Sequence, residues 1–123
     1  MIVVIGGIAS GKKTWVRSLG YGEEEFSDSP DDPCPVIYNI QDSIFLGASD
    51  EDLLEQFADK EVVICPEVGC GVVPASSEDR EWRERVGRLT NKLANQADCV
   101  VRVVCGIPMA LKGELPTRRV GAI

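Results

Sequence analysis

Histidine is absent from the 123 residues of this chain. Its absence removes the side chain most often used as a general base near neutral pH, a common metal ligand, and any covalent histidine intermediate. Aromatics are sparse, at 6% of residues against 44% hydrophobic overall, so a core must be packed from Val, Ile and Leu. No run of eighteen apolar residues occurs, and nothing is expected to span a membrane. Positive charge is short: 13 Lys and Arg stand against 20 Asp and Glu, a net charge of −7. Nucleic-acid affinity comes mainly from basic contacts with phosphates, so no nucleic-acid partner is expected. The five cysteines are odd in number and contain no C-x-x-C pair, which gives neither a disulfide framework nor a zinc pattern. Cys65, Cys99 and Cys105 lie in apolar runs and are expected as small core hydrophobes, whereas Cys70, in a glycine-rich loop, is the candidate reactive thiol. The opening Met1-Ile2-Val3-Val4 lacks the basic region and cleavage site of a signal peptide, so the cytoplasm is the expected location.

What the chain does have begins after the apolar run Ile2 to Ile5. Residues Gly6 to Lys13 read Gly-Gly-Ile-Ala-Ser-Gly-Lys-Lys, which meets the phosphate-binding pattern G-x-x-x-x-G-K-[ST] in all but its last letter. Glycines let the backbone turn so that successive N–H groups face a phosphate, and the helix that follows adds its positive end. Gly6, Gly7, Ser10, Gly11 and Lys12 are the candidate cradle, with Lys12 reaching the β/γ-phosphates as a point charge. Lys13 stands where the usual Mg²⁺-ligating hydroxyl would be, so a metal role is open. Either Lys13 offers phosphates a second ammonium or it points away along the helix as a surface lysine. Thr14 is one residue late, and at about 100° per residue it should face elsewhere, although it stays among the nucleotide-side candidates.

Strand and helix patterns alternate along the chain. Ile2–Ile5 suits a parallel strand buried on both faces, and Lys12–Leu19 a helix ended by Gly20 and Gly22. The acidic, proline-rich stretch Glu23–Pro35 reads as a solvated loop. Val36–Ile40 is predicted as a second strand, and Ser49-Asp50-Glu51-Asp52 as the capped start of a helix carrying Leu53, Leu54 and Phe57. Glu61–Cys65 is a third strand. Ser76-Ser77 opens the longest helix, with a stripe of Trp82, Val86, Leu89, Leu93 and Ala97, and Cys99–Cys105 is a fourth strand. One domain is expected over residues 1–108, with an extended or mobile tail over 109–123. This order implies right-handed crossovers and a mostly parallel sheet, with ligands at the carboxyl ends of the strands.

The third strand runs into Pro66-Glu67-Val68-Gly69-Cys70-Gly71-Val72-Val73-Pro74. Paired glycines permit close backbone approach to a ligand. Glu67 is either a carboxylate for a metal-bound water or a substrate hydroxyl, or a solvated acid beside a tight turn. This stretch resembles the adenosylcobinamide kinase / adenosylcobinamide-phosphate guanylyltransferase family. The likeness continues without a gap through Trp82-Arg83-Glu84, Gly87-Arg88, Leu93-Ala94 and Ala97-Asp98 to Gly106-Ile107-Pro108, and the glycine loop at Gly6 to Lys12 matches as well. The resemblance implies a P-loop NTPase with a RecA-like, mostly parallel sheet flanked by helices, assembled as a homo-oligomer, usually a trimer. It implies ATP- or GTP-dependent phosphorylation of the aminopropanol hydroxyl of adenosylcobinamide, with Lys12 and Glu67 as catalytic residues, and then guanylyl transfer through a histidine.

The departures cluster on the site. Ala9 replaces the family's Arg, Lys13 its Ser, Pro66 its Asn, and Thr90-Asn91 an Asn-Gln pair. Asn39 occupies the place of a second acidic residue, with Asp42 nearby as a substitute. The segment that carries the guanylylated histidine is replaced by the short acidic loop, so the guanylyl-transfer route is closed by chemistry. Three functions follow: a shortened kinase of this type; a non-catalytic relative that binds nucleotide or anion for assembly or regulation; and a P-loop kinase for another small hydroxyl substrate.

Overall fold

Strand β1 (Ile2–Gly6) is the centre of the sheet, paired in parallel with β4 (Val62–Pro66) on one side and β5 (Cys99–Val104) on the other. The structure, a computed structural model, describes residues 1–7, 9–45, 49–67 and 77–119. Beyond β4 lie β3 (Val36–Ile37) and β2 (Phe26–Ser27), both parallel, while β6 (Ile107–Lys112) returns antiparallel beside β5. The six-stranded order is β2-β3-β4-β1-β5-β6. This is the mixed α/β, mostly parallel architecture expected of a P-loop, RecA-like fold.

Alternation along the central strands divides the core between two faces. Val3, Val63 and Val100 point to one face, where they meet Ile40 and Ile44 of α2 (Ile40–Phe45), Leu53 and Phe57 of α3 (Asp50–Ala58), and Val86, Leu89 and Leu93 of α4 (Ser77–Gln96). Val4, Ile64 and Val101 point to the other, against Val16 and Leu19 at α1 (Lys12–Ser18). The stripe predicted for the long helix is therefore the sheet-facing one, with Trp82 packed at its edge. At the start of α3 the Ser49 hydroxyl accepts the Asp52 N–H at 3.2 Å, as the capping pattern requires.

Several expectations change. The second strand stops at Ile37; Asn39 takes φ 53°, and Ile40 spends its apolar side chain from the first turn of α2. The acidic stretch is not wholly solvated: a 3-10 turn at Glu23–Glu25 leads into β2, where Ser27 is buried. Cys105 is exposed rather than a core residue, because Cys105 and Gly106, at φ 52° and 76°, form the β5–β6 turn. β6 draws residues 109–112 into the sheet, so the division at residue 108 falls within a strand. Beyond it, the Arg119 N–H donates to Leu19 O at 2.7 Å.

Candidate functional site

Helices α1 and α4 follow the adjacent strands β1 and β4 but pack on opposite faces of the sheet. Such divergence leaves a crevice at the carboxyl ends of the two strands, the usual place for a ligand in an open α/β sheet. A pocket of about 460 Å³ lies there. Its walls include the glycine loop, the start of α1, Tyr38 and Gln41.

The loop has the close packing that its glycines predict. A Cβ on Gly6 would sit 2.5 Å from Ser10 Oγ and 2.7 Å from Val103 O. Gly11 has φ 95°, and a Cβ there would stand 3.1 Å from Gly106 Cα. The β5–β6 turn is tied to the loop by Gly106 N–H donating to Ser10 O at 2.7 Å. Lys12 curls back over this loop, and its ammonium donates to Gly6 O at 2.8 Å and Gly7 O at 2.7 Å. Burial holds the Lys12 pKa below its ordinary value, partly offset by Glu67 and Cys65.

Of the sequence candidates, Ser10, Gly11, Lys12, Lys13 and Thr14 all line the pocket. Thr14, expected to face elsewhere, is on the wall. Lys13 does not point away: its ammonium lies 3.5 Å from the centroid of the Tyr38 ring. Gly6 and Gly7 act through the carbonyls that hold Lys12. Asn39 lines the pocket, whereas Asp42 is exposed on α2 and does not.

Glu67 follows the last residue of β4, and its N–H donates to Gly6 O at 3.0 Å, so it sits beside the loop. Its side chain is gripped by Arg102 of β5, Nε to Oε1 at 2.6 Å and an Nη to Oε2 at 3.1 Å. β4 and β5 flank β1, so this fork spans the central strand just before the glycine loop. Bidentate pairing of this kind fixes direction as well as distance. Arg102 was not among the sequence candidates, although a lone charge inside Cys99–Val104 is a readable signal. Tyr38 and Gln41 had no such signal.

Two buried side-chain atoms, Ser10 Oγ and Gln41 Oε1, have no hydrogen-bond partner among the described residues, and both residues line this pocket. An unmet buried polar atom costs about 1–3 kcal/mol, so a ligand that satisfies it gains by that route. Cys65 also lines the pocket, but burial pushes its thiol up to about 12, so it carries no thiolate chemistry near neutral pH. The glycine loop Val68–Pro74, with Cys70, lies outside the described residues.

The P-loop pattern ordinarily implies Mg²⁺. Here the pocket wall offers the hydroxyls of Ser10 and Thr14 beside two ammonium groups, and no carboxylate lines it among the described residues. Mg²⁺ at a phosphate site is usually held by one or two carboxylates together with phosphate oxygens and waters, and this lining, with an ammonium at the ligand position, does not offer that protein ligand.

The family model for cobinamide kinase / cobinamide phosphate guanyltransferase matches residues 46–111, more than half of the chain. The matched span holds α3, β4, α4, β5 and most of β6, including Glu67 and Arg102, and leaves the Gly6–Lys12 loop outside. No curated protein matches the chain. No helix among the described residues is long and apolar enough to cross a membrane.

Proposed function

The chain belongs to the cobinamide kinase / cobinamide phosphate guanyltransferase family, and on that footing we propose that it is a purine-nucleotide-binding kinase of cobalamin biosynthesis. It transfers the γ-phosphoryl group of ATP or GTP to the aminopropanol hydroxyl of a cobinamide. The observation that carries this reading is the pocket at the ends of β1 and β4. There a glycine loop, Lys12 and two unmatched buried polar atoms converge beside a family carboxylate.

Each residue has a definite task in this reading. Gly6, Gly7, Ser10 and Gly11 shape the cradle. The Lys12 ammonium leaves the Gly6 and Gly7 carbonyls for β/γ-phosphate oxygens, where it offsets charge that moves during transfer. Lys13 and Thr14 complete the nucleotide side of the wall. Glu67, aimed by Arg102, orients the acceptor hydroxyl. The guanyltransferase half is absent, because a chain with no histidine cannot form a guanylylated histidine.

A second reading, a non-catalytic relative that binds nucleotide or anion for assembly or regulation, is favoured by two observations. Glu67 is held in a fork by Arg102, and the metal-ligand position is occupied by Lys13. Incubation with adenosylcobinamide and γ-labelled ATP or GTP separates the two. Label transferred to cobinamide by the wild type and lost in Lys12→Ala supports the kinase; nucleotide binding with no transfer supports the second reading. The kinase is proposed to act in the cytoplasm as a trimer. Assembly would bury apolar side chains exposed on and near β6, among them Ile107, Met109 and Leu111. A monomer in sedimentation at micromolar concentration would remove the trimer from the proposal.

A further inference from the structure

The Mg²⁺-ligand position of the loop is held by an ammonium, and the structure aims that ammonium inward. Lys13 Nζ stands 3.5 Å from the Tyr38 ring centroid, and both residues line the pocket. The ring is itself placed by the sheet edge, because the Tyr38 N–H donates to Ser27 O at 3.0 Å. A cation over an aromatic face is attracted by the ring quadrupole without surrendering its charge to a carboxylate. Lys13 is therefore docked in the pocket while its positive charge stays uncompensated by any carboxylate of the described wall. Lys12 is the second cation of that wall, and its ammonium donates to the loop carbonyls of Gly6 and Gly7, which a phosphate oxygen can replace.

The rest of the wall points to the same ligand. Ser10 Oγ, buried and without a partner among the described residues, is a hydroxyl that can donate to an anionic oxygen. Two cations and an unmet hydroxyl suit a polyanion that arrives without its own cation, since the Glu67 carboxylate beside the loop already has its charge paired with Arg102. A Mg²⁺-bound phosphate chain would bring a divalent charge against the Lys13 ammonium, with no carboxylate in the described lining to hold the metal and the nearby Glu67 already gripped by Arg102.

Building on the nucleotide reading above, we infer that the pocket takes the triphosphate of a purine nucleotide free of divalent metal. The Lys13 ammonium, docked on Tyr38, occupies the place that a P-loop hydroxyl and its Mg²⁺ would share. The property is specific to the residues of this chain: it needs Lys at 13, an aromatic ring at 38 and a wall without acid.

Calorimetric titration of the full chain with ATP and with GTP, in EDTA and in millimolar Mg²⁺, tests this. The wild type is expected to bind at least as tightly in EDTA as in Mg²⁺. Lys13→Thr, which restores the hydroxyl and removes the charge, is expected to lose about tenfold or more in EDTA, the size of one charge-assisted contact. It should recover part of that loss when Mg²⁺ is added. Tyr38→Leu keeps Lys13 but removes its dock, and should weaken EDTA binding by a smaller factor. Wild-type binding that requires Mg²⁺, or Lys13→Thr binding in EDTA as the wild type does, overturns this inference and leaves the nucleotide reading standing. No binding of either nucleotide in either condition overturns the nucleotide reading itself, and this inference with it.

Discussion

Lys12 is a cation kept in a place that disfavours its charge. Burial lowers its pKa from the ordinary 10.5, and the nearby Glu67 and Cys65 offset only part of that. The unfolded chain thus binds this proton more tightly than the folded one, so in the window just below 10.5 the apo protein gains stability as pH rises. In the proposed function phosphate affinity runs the other way, because it needs the charged form. We expect nucleotide affinity, followed by titration at rising pH, to fall in the wild type before an ordinary lysine would titrate. The same affinity should hold level in Lys12→Arg, whose guanidinium stays charged; a wild-type profile as flat as the variant's would refute the role given to Lys12. The places of single residues were unevenly legible. The loop glycines and Lys12 announce themselves by spacing, and Glu67 by its place after an apolar run. The direction of Lys13 was not legible, because a helical lysine next to the loop can face solvent or pocket, and the Tyr38 ring just after β3 decides between them. Cys105 was misplaced as core because its apolar neighbours hide a tight turn, which only the following Gly106 betrays.

The loop joining β1 to α1 and the β5–β6 turn behave as one packed unit, through Gly106 N–H to Ser10 O and the close approach of Gly11 to Gly106. Gly11 adopts φ 95°, and a Cβ there would meet Gly106 Cα at 3.1 Å. Gly11→Ala is expected to destabilise the fold by about 1–2 kcal/mol from the left-handed backbone alone. Chemical denaturation would show this as a lower midpoint with an unchanged slope, and nucleotide affinity should drop as the cradle widens. An unchanged midpoint would mean that the turn and the loop are not coupled in this way. Elements with a long period were easy to read: α4 carries its sheet-facing stripe over 20 residues, and α3 starts at the Ser49 cap. Short ones were not. β2 is two residues inside an acidic stretch, and Ile40 prolongs an apolar run although it begins a helix. Two residues hold no period, so their partners across the sheet decide what they become.

At the scale of the whole molecule, Met1 and Arg119 are each fastened to a part of the fold remote in sequence. The Met1 amino group pairs with Asp98 at 2.8 Å, and Arg119 forks onto Glu25 at 2.9 and 2.6 Å while lying over the Tyr21 ring. Arg119 holds the Glu25 pKa below its ordinary 4.5, so the folded form binds that proton less tightly than the unfolded one. The support from this pair is present above the unfolded value and is lost as pH falls through the folded one. Amide exchange or limited proteolysis around residues 113–119 should therefore rise at pH below 4.5. Arg119→Ala should bring that rise to neutral pH; equal protection in variant and wild type would show that the fork does not hold the segment. By itself the sequence determined the α/β class, the family and the exclusion of histidine chemistry from this chain. Each of these rests on local spacing or on composition, which no folding step can alter. Only the tertiary structure decided that β4 and β5 flank β1, so that Arg102 grips Glu67 beside the glycine loop, and that Lys13 docks on Tyr38. Strand order and helix direction follow from which apolar faces can be buried together across the whole chain, and no window of neighbouring residues contains that comparison.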